Sequence, residues 1–255
     1  MIDTHCHPQF PQYENEKEDL IKRTLDGGVK IICVGTDLET SKEAVAIARS
    51  HAGVWAAIGL HPSDSLDEAF DSEAYYQLGQ DKKVVAFGEI GLDYRWAKED
   101  EAKNAQKKRF IQQIKTASEL NLPLIIHCRD AHQDMLDLLN QNKKTLRELP
   151  GVIHSFTDKW EIAQKYIDLG FYIGLNGIIT FTDEYNETVK KTPLDRILLE
   201  TDAPLLAPPP FRGKRNEPLY VKYVAKHIVK LRNISIEEVD SVTTQNAIKL
   251  FNLKQ

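Results

Sequence analysis

The sequence predicts an α/β fold, a single TIM-like (β/α)8 barrel that extends over residues 1–255 as one domain. Three observations support this prediction: short runs rich in Val and Ile recur eight times, amphipathic charged stretches separate them, and several runs lack polar alternation. Strands that are buried on both faces and alternate with helices are typical of a parallel sheet. Eight strand and helix repeats in about 250 residues are what one such barrel contains.

Each apolar run is assigned to one strand, in chain order. The predicted strands are Met1–Asp3, Lys30–Gly35, Val54–Leu60, Val84–Glu89, Leu124–His127, Val152–His154, Phe171–Leu175 and Ile197–Glu200. The predicted helices are Asn15–Leu25, Ser41–Ser50, Glu101–Leu120, Ala131–Leu139, Glu161–Leu169, Glu184–Lys190, Pro218–Leu231, Ile236–Val242 and Asn246–Phe251. Thr40 precedes Glu43 by three residues, which predicts a capping box at the start of the second helix.

The competing arrangement is an open, doubly wound sheet. Dinucleotide-binding sheets of that type carry Gly-x-Gly-x-x-Gly after the first strand. This chain has no such pattern there, and no linker rich in Gly, Pro or Ser divides it. The barrel is therefore favoured.

Charge and cysteine content exclude several classes of protein. Thirty-three Lys and Arg residues against 38 Asp and Glu residues give a net charge of −5, so no global positive field holds nucleic acid. A polyanionic substrate therefore has to meet positive charge within the site. Three cysteines without a Cys-x-x-Cys pair, no secretory signal and no apolar stretch of membrane-spanning length predict a cytoplasmic protein without membrane attachment. No feature indicates an obligate protein partner.

Residues with metal-ligand chemistry follow the predicted strands. His5 and His7 are two residues apart in an extended run, so both imidazoles project from one face. Others stand at or just after the ends of later strands: His61, Glu89, His127, His154 and Asp202. A barrel brings these strand ends to one face, where barrel enzymes build their sites. The sequence therefore predicts a metal centre at this face.

Charge favours two divalent ions in this centre. With neutral imidazoles and two carboxylates, two ions leave a net positive charge, which attracts phosphate and acidifies a shared water into a hydroxide nucleophile. The nitrogen-rich donor set suits Zn, Mn, Co, Ni or Fe(II) better than Mg. The sequence leaves the identity of the ion open among Mg, Mn and Zn.

Seven segments spread over almost the whole chain carry a family resemblance. They are Asp3–His7, Gly59–Pro62, Gly88–Asp93, Pro123–Arg129, His154–Phe156, Glu200–Pro204 and Arg215–Pro218. In these segments the sequence resembles the TatD-type metal-dependent deoxyribonucleases of the amidohydrolase superfamily. The resemblance implies one ion on His5, His7 and Asp202. It implies a second ion on His127 and His154, with Glu89 shared by both.

The resemblance also implies hydrolysis of DNA phosphodiester bonds from strand ends. We expect a 3'-to-5' exonuclease that prefers single-stranded or frayed ends, with Asp202 handling the proton of the attacking water and Glu89 as the second catalytic carboxylate. Four further residues are predicted to bind substrate: His61, Arg129, Glu200 and Arg215.

Each of these four has a second interpretation or a supporting role. His61 has no place among the six ligands, so it donates to a phosphate or supports a ligand. Arg129 clamps a phosphate or forms a structural ion pair, and Glu200 orients a ligand or accepts a hydrogen bond from substrate. Arg215 belongs to a basic loop beyond the eighth strand.

Two other functions compete with this one. The nearest rival is a metal-dependent amide or ester hydrolase, such as an aminoacyl ester deacylase, because the same hydroxide attacks a carbonyl carbon. A non-catalytic metal-stabilised binding protein is disfavoured, because it needs no open metal position.

Overall fold

The computed structural model describes residues 1–63 and 69–253, and its parallel strands follow one another around a nearly closed barrel in chain order. The strands are β1 Ile2–Cys6, β2 Lys30–Val34, β3 Val54–Ile58, β4 Val84–Asp93, β5 Leu124–Arg129, β6 Gly151–Ile153, β7 Tyr172–Leu175 and β8 Ile197–Leu199. The hydroxyl of Thr4 in β1 donates to the carbonyl of Leu199 in β8 at 3.0 Å, and Cys6 forms a parallel bridge with Ala203. The predicted barrel is confirmed.

Helices cover the outside of the barrel. In the described ranges they are α1 Lys17–Asp26, α2 Leu38–Ser50, α3 Ser72–Gly79, α4 Asp100–Glu119, α5 His132–Gln141, α6 Trp160–Asp168, α7 Asn186–Lys191, α8 Val221–Arg232 and α9 Ile236–Phe251. None of them is both long enough and apolar enough to cross a membrane. Helices α8 and α9 follow the last strand, and α9 packs against β8 and β1.

The set of helices differs from the sequence prediction at two places, α9 and α3. Helix α9 is continuous, whereas two separate helices, Ile236–Val242 and Asn246–Phe251, were predicted. The hydroxyls between these two segments are satisfied inside the helix, because Thr243 donates to the Val239 carbonyl at 2.7 Å. Helix α3 was not predicted, and its Asp71 cap accepts from the Ala74 amide at 3.0 Å.

Helix α2 begins three residues earlier than predicted, with a different cap. The Asp37 carboxylate accepts from the Thr40 amide at 2.7 Å, and the Thr40 hydroxyl accepts from the Asp37 amide at 3.0 Å. Thr40 is therefore the third residue of the helix and not its cap, and the predicted box with Glu43 is wrong. Asp37 offers a stronger charged acceptor to the helix start.

Inward side chains fill the lower part of the barrel. Ile125 in β5, Val152 in β6 and Leu198 in β8 belong to one buried apolar cluster, together with Ile32 of β2 and Tyr172 of β7. Residues two apart on a strand share a face. The inward positions two residues further along β5, β6 and β8 carry the site described next.

Candidate metal centre

The predicted ligands converge at the carboxyl ends of the strands. The donor atoms form three overlapping groups. Within each group, they all lie within 4.8 Å of one another. The groups are His5 with His154 and Asp202, His5 with His7 and Glu89, and His61 with Glu89 and His127. Strands β1, β4 and β5 carry three of these residues, and the others lie within three residues of the ends of β1, β3, β6 and β8.

The carboxylate of Glu89 lies at the middle of the cluster, with imidazole nitrogens on several sides. Its oxygens lie 2.7 Å from His127 Nδ1, 3.2 Å from His5 Nε2, 3.5 Å from His61 Nε2 and 3.6 Å from His154 Nε2. Burial opposes ionisation of Glu89, but these imidazoles hold the pKa of its carboxyl well below the usual range. The group is thus an anion surrounded by nitrogen donors.

Asp202 closes the other side of the cluster. Its Oδ1 lies 3.4 Å from His7 Nε2 and 3.8 Å from the Nε2 atoms of both His5 and His154. The Nε2 atoms of His5 and His7 are 3.2 Å apart, and the rings of His5 and His154 stack with their centroids at 3.5 Å. Burial opposes the charge on Asp202, yet His7 and the other nearby imidazoles lower the pKa of its carboxyl.

Oxygen atoms close to Nδ1 orient two imidazoles as metal ligands. His7 Nδ1 lies 2.7 Å from the Val34 carbonyl, which only accepts, so Nδ1 carries the proton and Nε2 keeps its lone pair. His154 Nδ1 lies 2.9 Å from Glu200 Oε1, which likewise directs the lone pair of Nε2 into the cluster. Converging lone pairs of buried imidazoles beside two carboxylates fit a divalent cation.

Glu200 supports His154 from within the barrel wall. Its carboxylate is completely buried and accepts from the Ser155 amide at 2.7 Å. Gly174 in β7 makes room for it, because a Cβ there would lie 2.6 Å from Glu200 Oε2. Burial opposes the charged imidazole, but without a cation Glu200 and the other carboxylates raise the pKa of His154 to about 10, so a cation that binds Nε2 has to displace a proton. Glu200 does not line the cleft above the cluster, so of its two predicted roles the geometry favours orienting His154.

Asp93 is a residue of the cluster that was not among the predicted site residues. Its Oδ2 lies 3.1 Å from His127 Nε2, so each nitrogen of that ring faces a carboxylate. Strand β4 extends past its predicted end at Glu89 as far as Asp93. Gly91 has φ +152°, and a Cβ there would lie 1.9 Å from the His127 carbonyl oxygen, so glycine permits this close pairing with β5. The alternation of Glu89, Gly91 and Asp93 was the available signal.

Asp3 holds the two ends of the barrel sheet together beneath the cluster. Its carboxylate accepts from the Thr201 amide at 2.9 Å and from the Thr201 hydroxyl at 2.6 Å. It also accepts from the His5 amide at 3.2 Å. These bonds join β1 to the segment that carries Asp202, and Asp202 in turn donates its amide to the His5 carbonyl at 2.9 Å.

A cleft of about 470 Å³ opens above the cluster. His61 lines it, and because its Nδ1 accepts from the Ser63 amide at 3.3 Å, the proton is placed on Nε2. Arg129 also lines the cleft and is exposed. Its guanidinium forms no hydrogen bond or ion pair with any residue in the described ranges.

Arg215 lies elsewhere. Its guanidinium donates to the Gln12 carbonyl at 2.6 Å, pairs with the Glu16 carboxylate and stands over the Tyr13 ring. It is not among the residues that line the cleft. The contact of Arg215 with substrate stays a prediction that this geometry does not favour.

An eight-stranded parallel barrel with histidines and carboxylates gathered at its carboxyl end defines a metal-dependent hydrolase of the barrel type. The chain belongs to the family described as TatD related DNase, which it matches over residues 2–252.

Curated relatives and solved structures cover the whole chain. It is 42% identical to the "uncharacterized metal-dependent hydrolase YabD" of Bacillus subtilis (strain 168), with 99% of each chain covered. It is 33% identical to the "3'-5' ssDNA/RNA exonuclease TatD" of Shigella flexneri serotype 5b (strain 8401), again with 99% of each chain covered. The crystal structure of YjjV, a TatD homolog from Escherichia coli K12, matches with a TM-score of 0.91 at 32% identity, covering 100% of this chain and 98% of that one.

Proposed function

We propose that this hydrolase cleaves DNA phosphodiester bonds as a 3'-to-5' exonuclease that prefers single-stranded or frayed ends. The observation that carries the proposal is the placement of Arg129, which has no partner among the described residues, in the cleft above the histidine and carboxylate cluster. A free cation beside such a cluster suits an anionic diester better than a neutral amide or ester. The name of the Shigella relative, an exonuclease on ssDNA and RNA, supports the same polarity and strand preference.

The proposed ligands divide between two divalent ions. His5, His7 and Asp202 would hold one, His127 and His154 the other, and Glu89 would contact both. Divalent ions supply positive charge against the phosphoryl oxygens and lower the pKa of a coordinated water. The same donor set leaves the choice among Mg, Mn and Zn open, although its nitrogen content favours Mn or Zn.

The chain's own residues position the phosphate and move the proton. Arg129 donates to a non-bridging phosphate oxygen, which holds the scissile group over the cluster. His61 Nε2 carries a proton and donates from the other side of the cleft. Asp202 accepts the proton of the attacking water, since its carboxylate is ionised and faces the cluster. Glu200 fixes the orientation of His154 throughout.

Anomalous diffraction with Mn²⁺ tests the number of ions. Two peaks roughly 3.5 to 4 Å apart, both in contact with Glu89, are expected for a two-metal centre. A single peak, or a pair without contact to Glu89, would contradict the proposed assignment.

A substrate panel tests the reaction. Protein stripped by a chelator and reloaded with Mn²⁺ is incubated with single-stranded DNA labelled at either end, blunt duplex, RNA, an aminoacyl ester and a cyclic amide. We expect metal-dependent shortening from the 3' end of single strands, slower attack on blunt duplex, and a reaction slowed on the order of 10² to 10⁴-fold with Asp202→Asn. Faster turnover of the ester or amide, with DNA left intact, would assign the chain to the rival hydrolase class.

A further inference from the structure

Two large apolar side chains are strongly exposed among the described residues: Trp96 at 66% and Leu205 at 52%. Both line the cleft above the candidate metal centre. Single exposed apolar residues are ordinary on protein surfaces. Their joint occurrence at the mouth of one polar cleft is not explained by packing, because neither is buried in the core. Their position indicates a ligand that has apolar faces as well as charge.

The two side chains approach the centre from opposite sides. Trp96 lies in the segment between β4 and α4, and Leu205 lies in the segment between β8 and α8. The strands follow chain order around the barrel, so β4 and β8 are four strands apart and stand across the mouth from each other. A strand of nucleic acid held over the centre would therefore pass between Trp96 and Leu205.

Trp96 also stands on the side of the mouth that carries Arg129. Asp93 at the end of β4 pairs in register with Arg129 at the end of β5, and the Tyr94 amide donates to the Arg129 carbonyl at 2.9 Å. The indole of Trp96 has no ring or cation partner in the part of the chain that the structure describes. A free guanidinium and a free indole on adjacent strand ends match the phosphate and the base of one nucleotide.

We infer that Trp96 is a base-stacking platform: its indole stacks on an unpaired nucleobase next to the phosphate that Arg129 holds, while Leu205 contacts a base on the opposite side of the scissile bond. This inference rests on the proposed nuclease function and specifies how that site selects its substrate. Stacking requires a base that is not paired, and every base offers a π face. The site therefore favours single strands without preference for sequence.

Kinetics with matched variants test the platform. Base stacking on an aromatic side chain corresponds to roughly a 10- to 100-fold effect. Trp96→Ala is expected to lower kcat/KM on single-stranded DNA by that factor, mainly through KM, whereas Trp96→Phe keeps most of the activity. Tyr76→Ala is the control, since this aromatic residue of α3 lies outside the cleft lining. It is expected to behave like the wild type.

Abasic substrates separate stacking from a structural role. A single abasic nucleotide is placed in turn at each of the first three positions from the 3' end. At one position, the abasic site is expected to slow cleavage by the wild type as much as Trp96→Ala slows cleavage of intact DNA. On that abasic substrate, Trp96→Ala and the wild type are expected to cleave at the same rate. Leu205→Ala is expected to give a smaller effect that disappears at a different position.

The outcomes separate this inference from the function on which it rests. Unchanged cleavage of DNA by Trp96→Ala overturns the platform and leaves the proposed nuclease standing. A loss that is equal on intact and abasic substrates overturns it as well, because the indole would then act on the fold or the centre. Failure of the metal-loaded wild type to cleave any DNA overturns the nuclease function itself, and the platform with it.

Discussion

The interior of the barrel has two layers, and the same strands carry opposite chemistry in each. In β5, Ile125 belongs to the apolar lower layer and His127 to the metal cluster above it. In β8, Leu198 lies in the lower layer, and Glu200 two residues further supports the cluster. Residues two apart share a face of a strand. Two successive inward positions on one strand therefore carry an apolar side chain in the lower layer and a polar or charged one in the upper layer.

This difference shows how the fold tolerates its site. Burying carboxylates and imidazoles together opposes folding unless they are paired or bound to a cation. Burying the apolar layer stabilises the barrel and fixes the strand ends in space. The lower layer therefore provides stability, and the upper layer provides binding and chemistry. Substitutions in one layer at a time test whether stability and activity can be lost separately.

The largest effect is expected from Asp202→Asn in the upper layer. The amide keeps the size of the side chain but does not accept the proton of the attacking water, so turnover is expected to fall on the order of 10² to 10⁴-fold. Thermal unfolding is expected to stay cooperative, since no apolar contact is lost. Turnover on labelled single-stranded DNA and circular dichroism melting measure the two properties. Near-normal metal-dependent turnover in a folded variant would assign the proton to another group.

The reverse damage is expected from Ile32→Ala in the lower layer. Ile32 is completely buried in β2, a strand that contributes no candidate ligand. Removing its side chain leaves a cavity, so the free energy of unfolding is expected to fall by about 2 to 5 kcal/mol. Urea denaturation measures this loss, while kcat per folded molecule is expected to stay within a factor of two. A large fall in kcat in folded protein would show that the layers are not separable.

A smaller effect, on metal affinity, is expected from a substitution at Glu200, which supports His154 of the upper layer. Glu200→Gln keeps an oxygen facing His154 Nδ1 but removes the charge, so Mn²⁺ affinity is expected to fall about 10- to 100-fold. Turnover at saturating Mn²⁺ is expected to be largely retained. Gly174→Ala is the matched variant, because its Cβ displaces the same carboxylate from β7. Calorimetric titration with unchanged affinity in both variants would rule out this supporting role.

The sequence predicts the layers unequally well. Apolar runs predict the strands of the lower layer because a strand that is buried on both faces has a nearly continuous run of apolar residues. The candidate ligands could also be predicted, because parallel strands in a barrel have their carboxyl ends at the same face. His127 and His154 could therefore be assigned to one site from their positions at strand ends alone. Asp93 was missed because the predicted end of its strand at Glu89 was four residues too early.

Pairing between distant charges is what the sequence does not predict. Arg215 and Glu16 are 199 residues apart, and their contact depends on how the loop after β8 lies against the start of α1. Before the structure, Arg215 and Arg129 had equal standing as phosphate ligands. Only the geometry separates the arginine that is already paired from the one that is free.

The smallest expected effect is on the salt dependence of DNA binding, where Arg129 and Arg215 are expected to differ. Each phosphate contact that is lost reduces the slope of log affinity against log salt by roughly one unit. Arg129→Ala is expected to reduce the slope for single-stranded DNA by that amount, because its guanidinium lines the cleft and pairs with no residue of 1–63 or 69–253. Arg215→Ala is expected to leave the slope nearly unchanged, because Glu16 already neutralises the guanidinium outside the cleft.

Binding is measured with the Asp202→Asn background loaded with Mn²⁺, so that cleavage does not interfere, across low to moderate salt. Arg129→Lys is the control that keeps the charge and is expected to keep the slope while losing some affinity, since an ammonium does not form the paired hydrogen bonds of a guanidinium. An equal fall in slope for both alanine variants would place DNA phosphates on Arg215 as well. The strand would then extend beyond the cleft to the Glu16 side of the barrel, and the Arg215–Glu16 pair would have to open when DNA binds.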